Sequence, residues 1–280
     1  MNRFPTLFVS HGAPTFALEP GLAGPLLGRL GRALERPRAV LVVSPHWMTR
    51  GVAVSTTAMP QTVHDFGGFP QALYAMHYPA PGHPELAQQA ASLLANAGHR
   101  VTLDARRGLD HGAWVPLMHL FPLADVPVFQ VSMPATLDPE SAWQLGEALS
   151  PLSEQGVLIV GSGSLTHNLY EFRQDHGQDE AYVTEFVDWM QRAVLSRNRE
   201  LLVHSLTRAP HAARAHPTAE HLLPLFVAAG AAAADAPVSV LPGGITHGVL
   251  SMDSYLFGSA DAWVGTVASR NESLAPAVGA

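Results

Sequence analysis

The chain contains no cysteine and no lysine. Without thiols there is no disulfide, no thiolate nucleophile and no sulfur-ligated metal, so a metal here must be held by nitrogen and oxygen donors. Without lysine there is no P-loop, and every fixed side-chain cation is an arginine. Charge is scarce: charged residues make up 14% of the chain and the net charge is -7. No basic tract offsets that balance, which argues against a nucleic-acid partner. No apolar run is long enough to span a bilayer, and the N-terminus lacks the segments of a signal peptide, so no membrane partner and a soluble cytoplasmic protein are expected. The Rossmann glycine pattern, the HExxH motif and zinc-finger spacings are absent, and no internal repeat is found.

What remains is a chain of 280 residues, 47% hydrophobic, with material for a large core. Short apolar runs predict strands over 4–10, 39–44, 52–56, 100–103, 127–132, 156–161, 238–241 and 248–255. Helical spacing predicts helices over 22–34, 84–97, 115–120, 139–149, 180–196 and 218–234. Strands and helices alternate for most of the length. That order predicts a single α/β domain over 1–280, a three-layer α/β/α structure around a mostly parallel or mixed sheet. The best internal boundary, 171–178, is short and has no proline run.

Fifteen histidines are present, and four stand at the ends of hydrophobic segments. His11, His46 and His167 each follow a predicted strand closely, and ligands of open α/β sheets bind beyond the carboxyl ends of strands. His221 lies near a helix start. Thr218 as N-cap would put it in the first turn, where the helix dipole opposes protonation and keeps the imidazole neutral for a metal. Pro224 one turn on implies either a distorted start or a later one. Glu220, beside His221, is an alternative carboxylate ligand. Two histidines plus a carboxylate would suit non-haem Fe(II), three histidines either Zn(II) or Fe(II), and spacing does not separate them. Two further blocks stand out. His64-Asp65 is framed by Phe66, Gly67, Gly68 and Phe69, an aromatic pocket wall in composition. In Asp110-His111-Gly112 the aspartate is placed to orient the imidazole. The plainer reading makes both blocks surface turns. His83, His99, His176 and His204 sit in polar stretches and are read as surface residues.

Taken in order, Ser10-His11-Gly12-Ala13-Pro14, Ser44-Pro45-His46-Trp47, His64-Asp65-Phe66-Gly67-Gly68-Phe69-Pro70, His77-Tyr78-Pro79-Ala80-Pro81-Gly82, Asp110-His111-Gly112, His167-Asn168-Leu169 and Pro217-Thr218-Ala219-Glu220-His221 form an ordered set. The set resembles the class III extradiol ring-cleaving dioxygenases, the LigB-like family, and within it the 4,5-DOPA dioxygenase extradiol branch. The resemblance implies one non-haem divalent metal per chain held by His11, His46 and His221, with Fe(II) for catalysis or Zn(II) as found bound. It implies His167 as acid/base, and a small aromatic diol and dioxygen as the reacting partners. Phe66 and Phe69 are expected as an apolar wall for the ring, and His64 and His111 as polar contacts to the substrate. His247 has no counterpart in the family pattern. Arg50 and Arg208 are the candidates for a substrate carboxylate. The alternatives are a zinc-dependent hydrolase with Glu220 as base, or a catalytically inactive metal-binding protein on the same fold. The apolar tail 274–280 is a candidate for packing on a partner, and the oligomeric state is left open.

Overall fold

Strand β1, Thr6–Ser10, is buried at every position. A strand achieves that only with neighbours at both edges and helices on both faces. The computed structural model, which describes residues 3–173 and 179–260, supplies both. Strand β1 is parallel to β6, Val157–Gly163, which is parallel to β2, Ala39–Thr49, which is parallel to β5, Val128–Pro134. Beyond β5, β3 (Val52–Ser55) runs antiparallel, and β4 (Val101–Asp104) is parallel to β3. Beyond β1, β10 (Ser254–Phe257) is antiparallel, followed by β7 (Val238–Leu241), antiparallel to β10. The result is an eight-stranded mixed sheet with a parallel centre. A two-stranded hairpin, β8 (Ile245–Thr246) with β9 (Leu250–Ser251), stands apart from it.

The two-residue period of a strand sorts the core into two layers. Phe8, Leu41, Val43 and Ile159 face the helices Pro84–Asn96, Pro139–Leu149, Ala181–Leu195 and Leu223–Ala231. Leu7, Val9, Val40, Val42, Leu158 and Val160 face the helices Ala23–Ala33 and His111–Leu120. Helix Leu223–Ala231 is apolar all round and buried at every position. It sits directly on β6, where a Cβ on Gly161 would lie 2.0 Å from the Pro224 carbonyl oxygen and one on Gly163 2.1 Å from that of His221. Only glycine permits that approach. Among the described residues no helix is long and apolar enough to cross a membrane.

Four elements differ from the sequence expectation. The strand predicted over 39–44 continues to Thr49 after an irregularity at Pro45. The helix predicted over 115–120 begins at His111, because the Asp110 carboxylate accepts the Ala113 N–H and caps it. The helix predicted over 218–234 is Leu223–Ala231, so Pro224 lies in its first turn, where a missing N–H costs nothing. Thr218 is not its N-cap; its hydroxyl donates to Glu220 Oε1 instead. The strand predicted over 248–255 is broken, with Leu250–Ser251 pairing in the hairpin and Ser254–Phe257 in the sheet. The tail 274–280, part of the boundary candidate at 174–178, and His176 lie outside the described residues.

Candidate metal centre and its cavity

The parallel strands β2, β6 and β1 are adjacent, so the segments that follow them meet at one edge of the sheet. His11 directly follows β1, and its N–H extends the ladder to the Gly163 carbonyl at 2.9 Å. Gly12 then turns the chain away with φ +59, a conformation that disfavours any side chain. In β2, Val43 pairs with Val131 and Met48 with Met133, so five steps on β2 oppose two on β5. The surplus residues bulge out of the ladder and carry His46 with them. The His221 carbonyl accepts the Ser164 N–H at 2.8 Å, which ties the segment before helix Leu223–Ala231 to the end of β6. His167 follows β6, and its N–H donates to the Ala215 carbonyl at 2.8 Å.

The ring nitrogens of these histidines are arranged by identifiable partners. Pro116 lies inside helix His111–Leu120 and has no N–H for the Gly112 carbonyl one turn back. That carbonyl accepts the Ser162 hydroxyl proton instead. With its proton committed, Ser162 Oγ accepts from His11 Nδ1 at 3.0 Å. His11 is therefore protonated at Nδ1, and its Nε2 lone pair faces His46 Nε2 at 3.1 Å. His46 Nδ1 faces the Asp65 carboxylate at 3.7 Å. His221 Nδ1 donates to Glu220 Oε1 at 3.2 Å, which leaves its Nε2 free as well. Donor atoms of His11, His46 and His221 all lie within 4.8 Å of one another.

Burial chiefly, and the neighbouring imidazoles next, hold the pKa of His11 and His46 well below the usual histidine value. Burial does the same at His221, against the pull of Glu220. Neutral imidazoles with converging lone pairs are the donors a divalent cation needs, and 3.1 Å lets two of them bind one ion at about 2.1 Å. The residues thus fit a single divalent metal. Glu220 is held low by the hydrogen bond from His221, so it serves that ring as a carboxylate partner.

A second carboxylate works beside the first set. Asp65 Oδ1 accepts both the backbone N–H of His111 at 3.0 Å and its Nδ1–H at 2.9 Å. Burial would raise the Asp65 pKa, but the bonds and charge from His111 outweigh it and bring it to about 2. The loop carrying Asp65 is stapled down by the buried Trp114, whose Nε1 donates to the Val63 carbonyl at 3.0 Å. His167 stacks on His221 with ring centroids 3.4 Å apart and planes at 10°. Imidazole lone pairs lie in the ring plane, so those of stacked rings run side by side and do not converge on one ion. Burial, opposed by Glu220, lowers the His167 pKa to about 4.

Above these rings opens a cavity of about 390 Å³. His11, His46, His111, His167 and His221 line it together with Pro14, Phe66, Phe69, Leu169, Phe172 and Leu250. Seven of the eight site residues expected from sequence therefore meet in one place. The exception is His64, which lies outside the cavity lining. Its ring packs behind Phe66, and Nε2 meets the Met76 carbonyl at 3.0 Å. Asp110 does not orient His111 either: besides capping the helix it pairs with Arg107 at 2.7 Å and accepts from Gln130 at 2.8 Å. Neither Arg50 nor Arg208 lines the cavity, and Arg208 pairs with Glu200 at 2.9 Å. His83, read as a surface residue, is an N-cap, accepting from the Leu86 N–H at 3.4 Å. His247 stands at φ +53 in the turn of the β8–β9 hairpin and stacks on Phe172 at 4.3 Å. Ser162, Phe172 and Leu250 are the contributors that sequence reasoning missed, and Asp65, noted there only beside His64, gains a role. Ser162 sits in a Gly-Ser-Gly-Ser run with nothing to mark it, whereas Asp65 lies inside a block that its composition singles out.

The family model of the catalytic LigB subunit of aromatic ring-opening dioxygenase matches residues 27–257, a span that holds every cavity histidine except His11. A 4,5-DOPA dioxygenase extradiol from Beta vulgaris is 39% identical over 258 residues, covering 91% of this chain and 96% of that protein. A 4,5-DOPA dioxygenase extradiol from Escherichia coli (strain K12) is 40% identical over 263 residues, covering 92% and 96%. The crystal structure of the uncharacterized protein JW3007 from Escherichia coli K12 superposes with a TM-score of 0.76 at 32% identity, over 91% of this chain and 100% of that chain.

Proposed function

The chain belongs to the family of the catalytic LigB subunit of aromatic ring-opening dioxygenases, and we propose that His11, His46 and His221 hold its metal while His167 moves the protons. It is an extradiol-type ring-cleaving enzyme with a site for one divalent metal. The observation that carries the assignment of roles is the convergence of three neutral imidazoles on the floor of a cavity with aromatic walls. In this reading residues 1–280 act as one catalytic unit, ferrous iron is the working metal, and zinc fills the same donors without turnover. Bound there, ferrous iron would supply the electron traffic between an electron-rich diol ring and dioxygen.

The chain's own residues do the rest. Phe66 and Phe69 offer the diol ring a flat apolar face and keep bulk water off it. His111 donates its Nδ1–H to Asp65, which leaves the Nε2 edge of the ring for a substrate hydroxyl. His167, neutral near pH 7, takes a phenolic proton at a ring nitrogen and returns one when the ring opens. Its stack on His221 keeps it beside the ligand set and out of it. Glu220 holds His221 by Nδ1 and does not act as a ligand. His64 braces Phe66 from behind and does not touch the diol.

The test is oxygen uptake by the Fe(II)-loaded protein with a catechol under air, with a yellow ring-opened product. A zinc hydrolase would show ester or amide cleavage with Zn(II) and no oxygen uptake. An inactive binding protein would take up metal and do neither. Either outcome overturns the assignment.

A further inference from the structure

Resting on that reading, we propose that the diols this enzyme prefers carry an uncharged, apolar substituent, not an acidic or amino-acid side chain. The walls that rise from the histidine floor are Pro14, Phe66, Phe69, Leu169, Phe172 and Leu250, with no ionised group among them. At about 390 Å³ the cavity has room for a diol ring with a short substituent, and a substituent that stays within it lies against those walls. A carboxylate held there would lose water and gain no partner, a cost that an alkyl or aryl group does not meet.

Among the described residues no lysine or arginine reaches the cavity. There is no lysine in the sequence. No arginine among the described residues lines the cavity, and only Arg270 lies outside them. Arg107 bonds the His46 carbonyl at 3.2 Å and Asp110 at 2.7 Å, and it packs over Trp47. Arg173, one residue past Phe172, is paired with Glu180. The five histidines belong to the floor, where the diol end of the substrate sits. Among the described residues an acidic tail would therefore meet aromatic and aliphatic groups, within a chain of net charge -7. This parts company with the DOPA in the names of the Beta vulgaris and Escherichia coli relatives.

The experiment uses two diols of nearly equal shape, 4-propylcatechol and 3-(3,4-dihydroxyphenyl)propanoate, which differ in a terminal methyl against a carboxylate. Their dissociation constants from the Zn(II)-loaded protein are measured by calorimetry, where no turnover intervenes. Their kcat/KM values are measured by oxygen uptake with the Fe(II)-loaded protein. The propyl compound is expected to lead by at least roughly tenfold in both, the low end of what a pocket gains from a matched apolar group. Leu169, 58% exposed at the rim, gives the converse test. Leu169→Arg is expected to close most of the gap by improving the acid. Equal or better binding and turnover of the acid by the unaltered protein overturns the proposal. If neither diol, nor catechol itself, is cleaved with Fe(II), the dioxygenase reading falls and takes this proposal with it.

Discussion

His216 and His221 lie on one short segment and are both buried, and burial lowers the pKa of both. Their rings nevertheless serve different ends. His216 Nε2 meets the Leu165 carbonyl at 2.9 Å, and His119 Nε2 likewise meets the Phe16 carbonyl at 3.0 Å. A nitrogen against a carbonyl must carry the proton, so the lone pair of His216 is on Nδ1, which is buried without a partner among the described residues, in a ring that does not line the cavity. His221 donates its Nδ1–H to a carboxylate and His11 its Nδ1–H to a hydroxyl, which leaves their Nε2 lone pairs for the cavity. Burial lowers the basicity of both rings, and where the free nitrogen lies, in the cavity or away from it, tells them apart.

The hardest test of that distinction exchanges alanine at one member of each set. His11→Ala should strip the metal almost completely and abolish oxygen uptake. His216→Ala should cost stability, about 1–3 kcal/mol as for other buried polar truncations, with metal content kept in the folded fraction. Elemental analysis of both folded proteins decides it, and metal loss from the His216 variant alone would dissolve the contrast. Next in size is His167→Phe, which keeps a ring over His221 but cannot move a proton. It should retain the metal and slow ring opening by roughly 10²–10⁴. Near-normal turnover across the pH range would remove His167 from the chemistry.

Acid should expose the structural set by a separate route. His216 titrates at about 4 in the folded chain, against 6.5 for an ordinary histidine. As pH falls the unfolded chain takes its proton first, so the stability His216 contributes is intact above about pH 6.5 and lost on the way down to about 4. The loss is about 3 kcal/mol at 1.36 kcal/mol per pKa unit. Urea unfolding of the metal-free protein from pH 7 to 4 should therefore fall less steeply in His216→Gln, by close to one proton. Equal slopes in variant and parent would contradict the assignment.

Smaller effects sharpen the ligand side. Ser162→Ala leaves His11 Nδ1 and the Gly112 carbonyl without their shared hydroxyl, and Asp65→Asn weakens the hold on His46 and His111. Each should lower metal affinity about 10–100-fold in chelator competition, the usual worth of a group that holds a ligand. Affinity unchanged in both would mean that ring orientation is set by packing alone. Smallest of all, His247→Ala removes the stack behind Phe172. A ring stack is worth about 0.5–1.5 kcal/mol, so KM for an apolar catechol should rise roughly two- to tenfold with kcat held.

Much of this arrangement is legible in the amino-acid sequence. Strand ends are local signals, so the runs that precede His11, His46 and His167 set them at the edge of a sheet, and the alternation of elements carries the layered fold. The pairing of His64 with Asp65 shows where local reading stops. Adjacent side chains on an extended chain point to opposite sides, so only one of the two could face the His46–His111 cluster. Nothing in the sequence tells which parity holds; Trp114, docked under Val63, decides it for Asp65. The early start of the helix at His111 is hidden for a related reason. Pro116 argues against a helix until Ser162, far along the chain, is seen to satisfy the carbonyl it abandons. Thr218 fails as a cap because the His221 carbonyl is drawn to Ser164, which delays the helix to Leu223.

The bulge in β2 has a consequence for how this protein can change over generations. It is closed on both sides by paired residues, Val43 with Val131 before it and Met48 with Met133 after it. Deleting or inserting one residue between them cannot be absorbed gradually. It must either reverse which way His46 points or slip the strand beyond it by one place, turning every later side chain to the opposite layer. The length of that segment is thus quantised. Relatives that keep the ligand are expected to tolerate substitution at neighbouring positions such as Trp47 far more readily than any insertion or deletion between Val43 and Met48.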